Sequence, residues 1–165
     1  GQTRNRLAAV DATTGTPTAW NPDANQRVFS LVISGTTVYA GGEFTTVGGQ
    51  PRNRLAAIDT AGNITTWNPD SNSAVKVLKI SGNTMYIGGF FTSIGGQTRN
   101  RVAALDPGTG NLTVWNPNAN ASILALAVQG NTIYAGGEFY TICGENLNRL
   151  AALDRNNGTM TPRNP

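Results

Sequence analysis

The sequence contains no histidine and only one cysteine, Cys143, among its 165 residues. Histidine is the commonest general base and the commonest transition-metal ligand, so its absence removes the usual route to both kinds of chemistry. A single cysteine excludes an internal disulfide framework and a cysteine-cluster metal site. No apolar run approaches the roughly 18 residues that a membrane-spanning helix needs, so we expect no membrane span.

Charged residues are also scarce, at 13% of the chain, which is about half of the usual share of roughly 25%. Twelve Lys and Arg stand against nine Asp and Glu, and the net charge of +3 lacks the dense basic footprint of a nucleic-acid-binding protein. We therefore expect no nucleic-acid partner. The chain is rich instead in turn-forming residues, with 20 glycines and 8 prolines, and this indicates many turns between short elements.

An internal repeat is the strongest signal in the sequence. The segment NRLAAVD at 5–11 recurs with one or two substitutions at offsets of 47 or 48 residues, at 53–59, 100–106 and 148–154. A tryptophan followed by Asn-Pro has the same period, and so does a Tyr-x-Gly-Gly block. Self-similarity at this period is typical of repeat architectures. The sequence therefore divides into repeats at 1–47, 48–94 and 95–142 and a half repeat at 143–165.

Each repeat predicts four short strands. In the first repeat these are Arg6–Asp11, a segment ending at Trp20, Val28–Ile33 and Val38–Phe44, separated by Gly, Pro and Asn turn signals. Four strands per 40 to 50 residues are typical of propeller blades. The predicted fold is all-β, a β-propeller-like array of four-stranded antiparallel blades with about 3.5 repeats. A β-solenoid is the alternative, but the tight hairpin signals favour antiparallel blades, and the paired glycines indicate a bulge or a close approach of strands.

Two segments carry a resemblance to a known family. Ala104–Gly110 (ALDPGTG) followed by Trp115 resembles the tryptophan-docking motif of quinoprotein-type propellers, and Ala9–Gly15 followed by Trp20 fits that motif equally well. In that family the motif locks neighbouring blades together. The resemblance thus implies a structural inter-blade role, and no quinone-binding residue is matched. The residues assigned to inter-blade docking are Trp20, Trp67, Trp115, Asp11, Asp59, Asp106 and Asp154. The aspartates are expected to hydrogen-bond the backbone of the turn that follows each of them.

The complete repeat is similar to the delta-60-type propeller repeats of secreted bacterial proteins. The similarity rests on the NRLAA-aliphatic-Asp, Trp-Asn-Pro and Tyr-x-Gly-Gly-x-Phe blocks and covers essentially the whole chain. It implies a propeller fold and an extracellular or cell-surface location, as in bacterial secreted proteins, without implying an activity.

A repeated Arg-Asn-Arg is the first candidate binding feature. Stacked on successive blades, these arginines would form a basic arc able to bind acidic glycans or another protein. The other interpretation is that each arginine ties one blade to the carbonyls or acids of the next, and the strict register favours it. The arginines concerned are Arg4, Arg6, Arg52, Arg54, Arg99 and Arg101.

The Asn-Pro-Asp loops are the second candidate, because their side-chain oxygens suit Ca²⁺. The third loop, 116–120, has no carboxylate, and no bidentate glutamate lies near any of the three in sequence. Plain turns are therefore favoured, and we expect no cofactor, with calcium as the one alternative.

These patterns predict that the chain is not an enzyme. The predicted function is a non-catalytic extracellular structural or adhesive repeat module, part of a larger propeller or of a self-assembled ring or filament. The alternatives are a glycan- or protein-binding propeller and a propeller segment of a secreted enzyme whose active site lies outside this chain. Because three and a half blades cannot close a ring of roughly four to eight, the expected partner is a second copy or further repeats of a longer chain. A glycan or a surface protein is the alternative partner. We expect residues 148–165 to be completed by strands from elsewhere.

Overall fold

The structure is a computed structural model, and it describes residues 3–162. All regular structure in these residues is β-strand. They contain no helix that is long and apolar enough to cross a membrane. Nine strands form three three-stranded sheets. We call these sheets blades 1, 2 and 3. Blade 1 consists of β1 (Val28–Ser34), β2 (Thr37–Gly42) and β5 (Leu55–Asp59), and blade 2 consists of β6 (Val75–Ser81), β7 (Thr84–Gly89) and β10 (Val102–Leu105). Blade 3 consists of β11 (Ile123–Gln129), β12 (Thr132–Gly137) and β15 (Leu150–Asp154).

Six two-residue strands form a small hairpin after the second strand of each blade. They are β3 (Thr46–Val47) with β4 (Gln50–Pro51), β8 (Ser93–Ile94) with β9 (Gln97–Thr98), and β13 (Thr141–Ile142) with β14 (Glu145–Asn146). Every strand pair in residues 3–162 is antiparallel. The all-β prediction is confirmed, and the solenoid alternative is wrong, because a solenoid would pair each strand with its equivalent in the next coil.

The fourth strand of each blade is reduced to one antiparallel bridge on the outer side of the third strand. These bridges join Ile58 to Ile64, Leu105 to Leu112, and Leu153 to Met160. A further bridge, between Val10 and Pro17, forms a separate hairpin near the start of the chain. We call residues 5–20 the N-terminal hairpin. It has the sequence and the turn geometry of a third and fourth strand without the two inner strands that accompany them in each blade.

The sheets are out of phase with the sequence repeats. In blade 1, β1 and β2 come from residues 1–47, whereas β5 comes from residues 48–94. β5 pairs with β2 in a register that runs from Thr37 opposite Asp59 to Gly41 opposite Leu55. The same arrangement holds in blades 2 and 3. The expectation that 148–165 lacks strand partners is therefore wrong for its described part, since β15 pairs along its length with β12. The unaccompanied strands lie at the other end, in the N-terminal hairpin.

The second glycine of each Tyr-x-Gly-Gly block lies beside a bulge in the first strand. Pairing between β1 and β2 shifts register between Val28 and Ser30, and the same shift occurs in the other two blades. A Cβ atom on Gly42 would overlap the carbonyl oxygen of Arg27, so only glycine lets the two backbones approach this closely. The bulge predicted from the glycine pairs is confirmed.

The apolar core lies mainly between the blades. The second strand of one blade faces the first strand of the next: a Cβ atom on Gly41 would contact Val75 and Leu78, and one on Gly88 would contact Ile123. The third strands are buried almost throughout, which agrees with their runs of alanine and aliphatic residues. Stacking one blade on the next therefore buries surface that a single blade would expose.

Candidate functional site

The repeated tryptophans lie at the junctions between successive blades. Trp67 and Trp115 are buried, whereas Trp20 is half-buried. The indole Nε1 of Trp20 donates to the backbone carbonyl of Asp59 at 3.0 Å, and that of Trp115 donates to the carbonyl of Asp154 at 3.0 Å. The Trp20 indole thus connects the N-terminal hairpin to the third strand of blade 1. The Trp115 indole connects the segment on the outer side of blade 2 to the third strand of blade 3.

Trp67 departs from this pattern, because its Nε1 is buried and has no hydrogen-bond partner in residues 3–162. Its ring is held by packing instead, against Tyr39 and close to Gly110.

Two tyrosines complete these junctions. The Tyr39 ring packs edge-on against Trp67 with centroids 5.1 Å apart, and Tyr86 packs against Trp115 at the same distance. The Tyr39 hydroxyl donates to the carbonyl of Pro107, and the Tyr86 hydroxyl donates to that of Arg155, both at 2.8 Å.

Each tyrosine therefore connects its own blade to the turn of the next. Burial raises the pKa of both hydroxyls above their usual value of 10.0. This role was not predicted from the sequence, although the repeated tyrosine of the Tyr-x-Gly-Gly block was a signal for it.

The four repeated aspartates each hold a turn. In the first, the Asp11 carboxylate accepts bonds from the backbone N–H groups of Thr13 and Thr14. Asp106 and Asp154 bond the equivalent turn, and Asp59 accepts from Ala61 and Asn63. The bonds lower the pKa of three carboxyls: that of Asp11 mainly through the Thr14 N–H, that of Asp59 through the Asn63 side chain, and that of Asp106 through the Thr109 N–H. The aspartates thus shape the turns whose neighbouring carbonyls receive the indole and phenol groups.

Five of the six arginines of the Arg-Asn-Arg segments donate to backbone carbonyls. The first arginine of each segment donates to the carbonyl of a threonine on the neighbouring outer segment, as Arg4 to Thr18, Arg52 to Thr65 and Arg99 to Thr113. The second arginines, Arg6, Arg54 and Arg101, have left-handed backbone angles, with φ of 66°, 63° and 67°. Arg6 donates to the carbonyl of Ala24, Arg54 to the side chain of Asn53, and Arg101 to the carbonyl of Phe90. These guanidinium groups are engaged locally, and a basic arc for glycans stays a prediction.

The loops considered for calcium use their asparagine oxygens within the chain. The Asn25 side-chain oxygen accepts from the backbone N–H groups of Thr45 and Thr46, and Asn72 and Asn120 make the equivalent pairs of bonds. In residues 3–162 no three acidic or cysteine side chains converge to hold a metal ion. Cys143 is half-buried, and burial raises the pKa of its thiol. Chemically, the contacts of this site are suited to joining one blade to the next.

Antiparallel blades joined by repeated Trp, Tyr and Asp contacts define the chain as a β-propeller repeat protein. The family model described as outer membrane protein assembly factor BamB matches residues 3–163, and the chain belongs to this family. This supports the predicted quinoprotein-type resemblance.

Two solved structures of designed proteins are similar in fold. The crystal structure of the computationally designed Ika8 protein has a TM-score of 0.59 and 18% identity, with 84% of this chain and 36% of that chain covered. The computationally designed Ika4 protein has a TM-score of 0.58 and 18% identity, with 86% and 73% covered. This chain thus spans about a third of the length of Ika8. No curated protein matches it.

Proposed function

We propose that the chain is a non-catalytic structural or adhesive repeat module that acts outside the cell or on its surface. The observation that carries this proposal is the use of the repeated polar side chains. The aspartates hold turns, the asparagines hold hairpins, and the arginines bind backbone carbonyls. The polar side chains that recur in each repeat therefore shape the blades and join one blade to the next, and a stack of blades requires such contacts.

The module contributes blades to a larger propeller, ring or filament. Membership of the BamB family supports the blade architecture. The composition, with few charged residues and many Thr, Asn and Gly, supports a location outside the cytoplasm, as does the similarity to secreted delta-60-type repeats.

The proposal is tested by location, binding and turnover. Intact cells that produce the protein are treated with a protease that cannot enter them, and the loss of the chain is followed beside a cytoplasmic marker. Beads coated with the purified chain are then tested for retention on immobilised surface glycans and matrix proteins. We expect loss of the chain from intact cells and no turnover of hydrolase or oxidoreductase substrates. Protection from the protease, or turnover that one aspartate substitution abolishes, would overturn the proposal.

A further inference from the structure

The two ends of the blade stack present the two halves of a junction that occurs twice inside the chain. Within the stack, the second strand of one blade faces the first strand of the next. Blade 1 has no blade before its first strand, and blade 3 has none after its second strand in the part of the chain that the structure describes. Each end is therefore compared with its equivalents in the interior.

The open face of blade 1 is apolar. Leu31 is 49% exposed, whereas its equivalents Leu78 and Leu126 are 1% and 4% exposed. Ile33, on the same strand face, is exposed as well. Together with Trp20 and Ala9 of the N-terminal hairpin, these side chains line a groove of about 480 Å³. In blades 2 and 3 the equivalent space is filled by the second strand of the preceding blade.

The open face of blade 3 carries the complementary surface. Tyr134 is 37% exposed, whereas its equivalents Tyr39 and Tyr86 are 6% and 2% exposed and pack on tryptophans. A Cβ atom on Gly136 would have no heavy atom nearer than 3.8 Å.

The equivalent glycines in the interior are closely approached. A Cβ atom on Gly41 would lie 3.0 Å from Val75, and one on Gly88 would lie 2.7 Å from Ile123. Gly136 thus keeps room for a first strand that residues 3–162 do not place there.

The N-terminal hairpin can replace the outer strands of blade 3 because the two segments are nearly identical. NRLAAVD at 5–11 corresponds to NRLAALD at 148–154. Both end in the same turn, in which the N–H of Gly15 donates to the carbonyl of Asp11 and that of Gly158 donates to the carbonyl of Asp154. In addition, the hairpin leads into Trp20, and in residues 3–162 no tryptophan ring packs on Tyr134 as Trp67 and Trp115 pack on its equivalents.

We propose that a second copy of this chain inserts its β11–β12 pair into the groove of blade 1. The N-terminal hairpin then takes the place of residues 148–162 of that copy, with Asp11 opposite Thr132 and Leu7 opposite Gly136, as Asp154 and Leu150 are now. For β12, the exchange replaces one set of backbone bonds by an equivalent set. It buries Leu31, Ile33 and Tyr134, and it releases the buried strand β15 of the second copy. Exchanging like elements between copies in this way is a low-cost route to assembly. The proposal deepens the self-assembly part of the proposed function and rests on it.

Sedimentation analysis of the full chain over a wide range of concentration tests the contact. We expect wild-type species of two or more copies. Gly136→Val should raise the concentration at which they form by about tenfold or more, because the added side chain blocks the incoming strand, whereas a Cβ atom at this position makes only ordinary van der Waals contacts in the single copy. Ile33→Asp should have the same effect from the other side. Val114→Asp is its matched control, since Val114 is also exposed but does not line the groove.

Disulfide trapping tests the register. In a Cys143→Gly background, Ala9→Cys and Tyr134→Cys chains are mixed and oxidised, because Tyr134 now pairs with Ala152, the equivalent of Ala9. We expect a cross-linked pair of chains, and none when Val114→Cys replaces Ala9→Cys.

A wild-type chain of single-copy mass at every concentration would overturn the proposal, and so would equal effects of Ile33→Asp and Val114→Asp. Neither result concerns catalysis or location, so failure of the docking contact is distinguishable from failure of the proposed function.

Discussion

Replacing Trp115 by alanine should be the most damaging of the three tryptophan substitutions. The side chain is buried, packs edge-on against Tyr86 and donates to the carbonyl of Asp154. Truncating a buried tryptophan costs about 3–5 kcal/mol of unfolding free energy, and an orphaned carbonyl adds to the cost. For a chain of this size that corresponds to a fall in Tm of roughly 10 °C. Trp115→Phe, which keeps most of the packing but loses the donor, should cost about 1–3 kcal/mol.

The matched comparison is Trp20→Ala. Trp20 keeps its bond to the Asp59 carbonyl but is only half-buried, and no tyrosine ring of the described part of the chain packs against it. We expect a loss of about 1–2 kcal/mol. Chemical denaturation followed by circular dichroism measures the three variants, in a Gly136→Val background so that assembly does not contribute. Equal losses for Trp20→Ala and Trp115→Ala would refute the argument that burial at a complete junction sets the cost.

Three further outcomes are expected. Gly137→Ala should destabilise by about 3 kcal/mol or more, because its Cβ atom would overlap the Ser122 carbonyl, while Gly136→Ala should stay within about 0.5 kcal/mol; equal thermal melts for the two variants would contradict this. The pKa of Asp106 is lowered in the folded chain, so its contribution to stability is present above about pH 4 and lost as the pH falls through the folded value. Asp106→Asn should therefore reduce the fall of the denaturation midpoint at acid pH. An unchanged fall would contradict the contribution of Asp106 to stability. Cys143→Gly should raise stability by about 1 kcal/mol, because Cys143 has a left-handed φ of 56° where the other repeats have glycine, and a lower Tm would show that the packing of its thiol outweighs that strain.

The period and the turn signals were sufficient to predict blades, and the junction role of the tryptophans was implied by the resemblance to the tryptophan-docking motif. The phase of the blades was not predictable in the same way, because a regular succession of strands looks the same wherever the repeat is said to begin. The structure shows β5 pairing backwards with β2 rather than forwards within its own repeat. The choice is made by three-dimensional packing, in which the third strand is buried between its neighbours.

Contacts between residues far apart in the sequence could not be predicted either. The Tyr39 hydroxyl reaches the carbonyl of Pro107, 68 residues away, and no local pattern marks that acceptor. The left-handed arginines carry no signal either, since positive φ is usually announced by glycine or asparagine. In each case the chain conformation is imposed by the junction between blades rather than by local preference.

The offset between repeat and sheet has a consequence for how such chains change in length. Each blade takes its inner strands from one repeat and its third strand from the next, so every repeat boundary lies within a sheet. Unequal recombination that gains or loses one period of 47 or 48 residues therefore adds or removes a complete blade, wherever the breakpoints fall. A gene for such a protein tolerates duplication without selection for particular breakpoints, and variants with different blade numbers are accessible in single genetic steps.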